Sequence, residues 1–137
     1  MSITGALTRI LTGHDDRVVL SVAVTPDSRQ VISSDDSATV RVWDLETGRQ
    51  RAVLTGHDGG VPAVAVTPDG RHVISAGEHH TPCVSNLRAR QVQARLTGHE
   101  GSVFAVAVTP DGRHVISGGV DRTIRVWSGV GSADHRR

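Results

Sequence analysis

The chain contains one stretch of sequence three times. Residues 96–119, LTGHEGSVFAVAVTPDGRHVISGG, are matched 42 positions upstream by residues 54–77, where 20 of 24 residues are identical, and more loosely by residues 11–35. A period of roughly 40 to 45 residues is the length of one four-stranded unit, and units of this kind stack because a single copy cannot bury its own apolar face. The repeat therefore reads as a row of similar four-stranded units, and at 137 residues the chain holds a real core only if those units close on one another.

Each copy shows the same strand and turn signals. Residues 103–109 alternate Val with Ala and are apolar throughout, which suits a short strand covered on both faces; residues 61–67 and 18–25 are its equivalents. Pro110-Asp111-Gly112-Arg113 and Pro68-Asp69-Gly70-Arg71 are tight turns, in which Pro fixes one φ and Gly takes the next positive. Ser28 stands where the first copy needs that Gly. Residues 114–118 form a second strand and residues 123–127 a third of β-branched and aromatic type, while residues 45–49 turn into a fourth at 50–54. No helical period is present.

The ends are offset from the period. Gly5 falls on Gly48 and Ile10-Leu11 on Val53-Leu54, so residues 1–12 read as the fourth strand of a repeat whose other strands are elsewhere. Residues 13–55 and 56–97 are whole repeats, residues 98–128 a repeat without its own fourth strand, and residues 129–137 a flexible Gly, Ser and charged tail.

Composition narrows the function classes. With aromatics at 2%, the core is Val, Ala, Ile and Leu. A net charge of +1, with both signs interspersed, gives no field for nucleic acid or a membrane surface, and no window reaches the ~18 apolar residues of a span. The single Cys83 excludes an internal disulfide and reads as a buried small hydrophobe in a reducing, cytoplasmic setting. All 15 basic residues are Arg, which points to a GC-rich bacterial genome.

The segments Leu-Thr-Gly-His, Val-Thr-Pro-Asp-Gly and Ser-Gly-Gly-Val-Asp-Arg-Thr-Ile-Arg-Val-Trp resemble the WD-repeat family, and the resemblance covers residues 2 to about 128. It implies an all-β propeller: four-stranded antiparallel blades standing radially around a channel, holding other proteins on the faces of the ring. It also implies a structural relay in which Asp121 accepts from His99, His99 meets Ser117, and Ser117 meets the indole of Trp127. In the first repeat His14, Ser33 and Trp43 match, with Ser37 at the Asp position and Asp36 beside it. In the second, His57 and Ser75 match, but His79 replaces the Asp and Ser85 the Trp. A broken network makes the second blade the expected weak one.

Ser117, His99 and Asp121 contain the residue types of a nucleophilic triad, yet the chain offers no Gly-x-Ser-x-Gly elbow, and no enzyme is expected. No cofactor is expected either. His79-His80 with Glu78 is the one histidine group left over, and no metal site is assigned to it because adjacent strand residues face opposite ways. By resemblance, partner contacts fall on the third and fifth residues after the Gly-His histidine and on the residue before the relay Asp. These positions are Ser102, Phe104 and Val120 in the third repeat, Gly60, Pro62 and Glu78 in the second, and Arg17, Val19 and Asp36 in the first.

A propeller closes with typically four to eight blades, and three leave an open edge. The complementary ends suggest closure by homo-oligomerisation, with Ala6, Leu7, Ile10 and Leu11 of one chain completing the sheet of Thr123, Ile124 and Val126 in the next. Small residues at Val24, Val66, Val108 and Ser85 mean a small angle per blade and favour nine blades from a trimer over six from a dimer. The expected function is a protein-interaction scaffold with the chain itself and other proteins as partners. The alternatives are a small-ligand or glycan-binding propeller, and a recently amplified fragment without a dedicated partner.

Overall fold

A computed structural model describes residues 4–14 and 17–128; the expected tail at residues 129–137 lies outside them. The described residues hold eleven strands and no helix. The first sheet is β1 (Val19–Val24), β2 (Gln30–Asp35), β3 (Val40–Asp44) and β4 (Gln50–Leu54), in that spatial order. The second repeats the plan with β5 (Val64–Val66), β6 (His72–Ser75), β7 (Cys83–Asn86) and β8 (Gln91–Arg95). The third has three strands, β9 (Val103–Val108), β10 (His114–Gly119) and β11 (Ile124–Ser128). All neighbouring strands pair antiparallel.

The connections follow from their residues. In each Thr-Pro-Asp turn the threonine hydroxyl donates to the aspartate, as Thr109 Oγ1 does to Asp111 Oδ1 at 2.6 Å, and the same oxygen accepts the Arg113 N–H at 3.0 Å. Gly70 and Gly112 both sit at φ 73° in this turn, and Ser28 adopts the same region at φ 63°, a conformation that costs an L-residue about 1 kcal/mol. β5 begins three residues later than the sequence suggests because Pro62 has no N–H to give a ladder.

The core lies between sheets rather than within them. Ile32, Val40, Val42 and Leu54 of the first sheet meet Val61, Val64 and Val73 of the second, with Val66 and Leu87 packed alongside. One step on, Ile74, Val84 and Leu96 of the second sheet meet Val106, Val108 and Val115 of the third. Both seams carry one backbone bond near the start of the first strand: Val61 N–H to the Asp35 carbonyl at 2.9 Å, and Val103 N–H to Gly77 at 3.0 Å.

Within one copy of the chain residues 6–11 form no strand, since no strand among the described residues pairs with them. His72, which follows the Thr-Pro-Asp turn of the second sheet, is buried, and its Nε2 meets Gln93 Oε1 on β8 at 3.2 Å. The second sheet is covered on both faces and includes the fully buried Ile74 and Val84, whereas β11 is an outer strand with Ile124 and Val126 exposed. Packing thus favours the second sheet in spite of its altered polar network. Ile74→Ala is expected to lower unfolding free energy by about 3 kcal/mol. Val53→Ala, at a position 38% exposed, is expected to cost under about 1 kcal/mol; urea denaturation of both variants checks the contrast.

Candidate functional site

Each sheet carries a polar chain at the end where its second strand closes into a loop. In the third, Trp127 Nε1 donates to Ser117 Oγ at 2.8 Å, Ser117 Oγ lies 2.7 Å from His99 Nε2, and His99 Nδ1 lies 2.9 Å from Asp121 Oδ2. An indole N–H only donates and a carboxylate only accepts. The two ends therefore set the direction: the serine hydroxyl donates to Nε2, and the Nδ1–H donates to Asp121. Asp121 also accepts from Glu100 N, Thr123 N and Thr123 Oγ1. These bonds, the Glu100 amide first, hold its carboxyl far below the usual range.

The first sheet builds the same chain with a different acid. His14 Nδ1 meets Asp35 Oδ2 at 2.8 Å, and Ser33 Oγ joins His14 Nε2 to the Trp43 indole. Neither Ser37 nor Asp36 takes the acid position. Asp35 ends β2 two residues earlier, where the third sheet has Gly119, and a Cβ built on Gly119 would sit 3.5 Å from His99 Nδ1. A side chain grown there reaches the imidazole directly. Asp35 accepts from Ser37 N, Thr39 N and Thr39 Oγ1. Burial opposes its ionisation, but the Thr39 hydroxyl, His14 and the two amides outweigh that and bring its pKa to about 2.

The second sheet keeps only one link, His57 Nε2 to Ser75 Oγ at 2.7 Å. His79, at the acid position, is exposed and lies beside Gly59, while Ser85, at the Trp position, is buried. The space that Trp43 fills over Gly13, and Trp127 over Gly98, is filled over Gly56 by Val92 and by Arg95, whose Nη1 donates to the Gly56 carbonyl at 2.7 Å and lies 3.3 Å from Cys83 Sγ. Burial first, then Arg95, lowers the His57 pKa to about 4, and burial raises the Cys83 thiol.

These groups cannot act as a nucleophilic centre. Ser117 is 1% exposed, and its oxygen is already engaged by an imidazole and an indole, which leaves no approach for a substrate. Among the described residues no three His, Cys, Asp or Glu side chains converge as metal ligands.

The positions expected to meet a partner lie at the same end of the sheets. Phe104 occupies a bulge: Val103 pairs with Gly119 and Ala105 with Gly118, and the extra residue is pushed out of the ladder, 50% exposed. The first strand has the same bulge, with Val19 against Asp35 and Ser21 against Ser34, so Leu20 is the counterpart of Phe104. Counting from His14 is misled by one extra residue before β1. Register puts Val18 and Leu20, not Arg17 and Val19, at the positions of Ser102 and Phe104. The Glu78 carboxylate accepts the Gly60 N–H at 3.1 Å, and Ser102 Oγ donates to the Glu78 carbonyl at 2.7 Å, tying the loops of two sheets together. Pro62 is half-buried, Gly60 buried, and Val120 and Asp36 exposed, with Asp36 Oδ1 accepting the Val18 N–H. Val18, Leu20, Phe104 and Val120 thus form an exposed apolar set at this end.

Comparison with known proteins places this geometry. A family model described as WD domain, G-beta repeat matches residues 5–44, 48–84 and 90–128. The chain is 50% identical over 54 residues to a probable E3 ubiquitin ligase complex SCF subunit sconB of Arthroderma benhamiae, covering 39% of this chain and 8% of that protein. It is 42% identical over 57 residues to the transcriptional repressor rco-1 of Neurospora crassa, covering 42% of this chain and 9% of the relative. The chain therefore spans less than a tenth of the length of either. Among solved structures, the RRP9 WD40 repeats superpose with a TM-score of 0.84 at 25% identity, over 88% of this chain and 38% of that one.

Two measurements follow from the relay. Ser33→Ala leaves a buried indole N–H and an imidazole nitrogen without partners and is expected to cost about 2 kcal/mol, more than Ser75→Ala, which strands only His57; denaturation midpoints report the difference. On acidification, the unfolded chain takes up a proton at His57 below its ordinary 6.5 while the folded chain resists until about 4, so stability falls across that window. A second fall comes between 3.8 and about 2 as Asp35 is protonated. His57→Gln is expected to abolish the first step and Asp35→Asn to shrink the second.

Proposed function

The chain belongs to the WD-repeat family, and from that premise we propose that it is a non-enzymatic protein-interaction scaffold, working as part of a propeller larger than one chain. The observation that carries this reading is the pair of open apolar faces. Ile124 and Val126 are 78% and 63% exposed, while Val40 and Val42, their equivalents in the first sheet, are 2% and 3% exposed because the second sheet covers them. At the other end, Val22 and Val24 are exposed where Val64, Val66, Val106 and Val108 are packed into seams. The two faces are the two halves of a seam the chain makes twice internally. Joining copies head to tail repeats that seam and removes about as much apolar surface per contact.

Support for the scaffold role comes from the face as well as the family. Phe104 and Leu20 stand out of the ladder on bulges held by rigid sheets, and exposed aromatic and aliphatic anchors on a fixed frame are what protein partners bury. Relatives named as an SCF subunit, a transcriptional repressor and the ribosome biogenesis protein erb1 match this chain over stretches of 54, 57 and 41 residues. Seams lined by Val, Ala, Ile and Leu, with Trp127 the only aromatic, favour a small angle per blade and hence a trimer of nine blades over a dimer of six.

Light scattering is expected to give a mass near three times the 14.5 kDa of the chain; twice that mass overturns the nine-blade form, and a monomer overturns the ring. Phe104→Arg is expected to abolish binding of a co-purifying protein partner at unchanged mass, while Arg71→Ala, in a turn at the opposite end of its sheet, leaves it intact. Equal loss in both variants would count against the bulge face.

A further inference from the structure

We infer that residues 5–11 are a donor strand that completes the third blade of a second copy of this chain, pairing along the free edge of β11 in a defined register. The inference rests on the assembled-propeller reading above and specifies its contact. The segment already has the geometry of an outer strand. It enters through Gly5 at φ 84°, the conformation that Gly48 (77°) and Arg90 (59°) adopt at the start of β4 and β8. It ends at Leu11, the equivalent of Leu54 and Leu96, which are buried in the two seams. Between them Leu7 and Ile10 are 77% and 72% exposed and unpaired.

The segment is also held where an outer strand of a preceding blade belongs. Arg9 donates through Nη1 to the Thr47 carbonyl at 3.0 Å and through Nη2 to the Glu46 carbonyl at 2.5 Å, both in the turn between β3 and β4. Arg9 is the equivalent of Ala52. Ala52 packs in the first seam together with Leu87, at the matching turn one sheet further on. Residues 5–11 therefore lie against the first blade as β4 lies against the second, with no sheet of their own among the described residues.

The internal blades fix the register. Arg41 pairs with Val53, Val42 with Ala52 and Trp43 with Gln50, with Arg51 bulged; Cys83 pairs with Arg95, Val84 with Ala94 and Ser85 with Val92, with Gln93 bulged. Carried to β11, Ile124 meets Leu11, Arg125 meets Ile10, Val126 meets Arg9, Trp127 meets Leu7, and Thr8 is the bulge. At the Cys83–Arg95 pair the side chains touch, so the corresponding 10–125 pair is within reach of a disulfide.

The test places Ile10→Cys and Arg125→Cys together in a Cys83→Ser chain and oxidises it. Cross-linked multimers that collapse on reduction are expected, with at least tenfold less product from Arg9→Cys with Arg125→Cys, which is one residue out of register and faces the other side. Independently, Ile10→Arg alters only an exposed side chain of the isolated chain and is expected to weaken association at least tenfold by sedimentation. If the wild-type chain is a monomer at every concentration, the assembled ring fails and the donor strand with it. If the mass is a multiple of the chain but the 10–125 pair does not link and Ile10→Arg associates normally, the donor strand alone fails. A 10–125 disulfide within single chains, migrating as a monomer without reductant, overturns exchange between copies.

Discussion

Every blade of this protein carries apolar side chains on both of its faces, and that is the constraint from which the rest follows. A sheet with one wet face is stable against a single neighbour; a sheet with apolar residues on both faces needs one on each side. The second blade has both, with Ile74 and Val84 fully enclosed. The first and third have one each, and what they leave open, Val22 and Val24 on one side and Ile124 and Val126 on the other, is matched in kind. With few aromatics, thin seams form and close approach is possible. The Val61–Asp35 and Val103–Gly77 backbone bonds then act as fixed spacers near the loop end of the sheets.

The polar relays solve a different problem, which is how a loop, two strands and a turn stay in register at the end of a sheet. Two solutions are complete and one is reduced. Moving the acid from Asp121 to the position of Asp35 changes which strand end carries it but not the chain of donors and acceptors, since either carboxylate reaches the same imidazole nitrogen. In the second blade the imidazole has no acid and moves inward: a Cβ on Gly77 would lie 2.5 Å from His57 Nδ1, against 3.5 Å for Gly119 and His99. Arg95 and Val92 occupy the vacated Trp space, so the loss is repacked rather than left as a void.

The repeat made most of this legible in advance. Strand order within each blade, the Thr-Pro-Asp turns and the relay of the third blade all follow from local patterns that recur in step. What could not be read depends on geometry across strands. Asp35 was hidden because equivalence by counting aligns it with a glycine, and only the direction of that glycine's absent side chain shows where an acid there would point. The first-blade positions equivalent to Ser102 and Phe104 are displaced by one because an insertion before β1 shifts the count from His14 while strand pairing holds Val19 opposite Asp35. His72 is buried and bonded to Gln93, a bulged residue 21 positions away, which no local pattern reports. Residues 6–11 have the pattern of a strand but no partner, since pairing is a property of two segments and the pattern records only one.

That last point bears on how a ring would assemble. A head-to-tail contact uses two different surfaces and so generates either a closed ring or an open fibre, depending on whether the angle per copy divides a full turn. A free strand edge alone would accept many partners and favour the fibre. Here the segment that matches the edge is anchored to the first blade through Arg9, so it arrives together with the face that must cover Ile124 and Val126. In such a ring strand addition and seam formation would be one event with a single geometry, and the ordering cost of the segment would be largely met before association. The seams inside the chain, formed twice with the same spacers and the same small residues, would set that geometry, and a third seam of the same kind would continue their curvature toward closure.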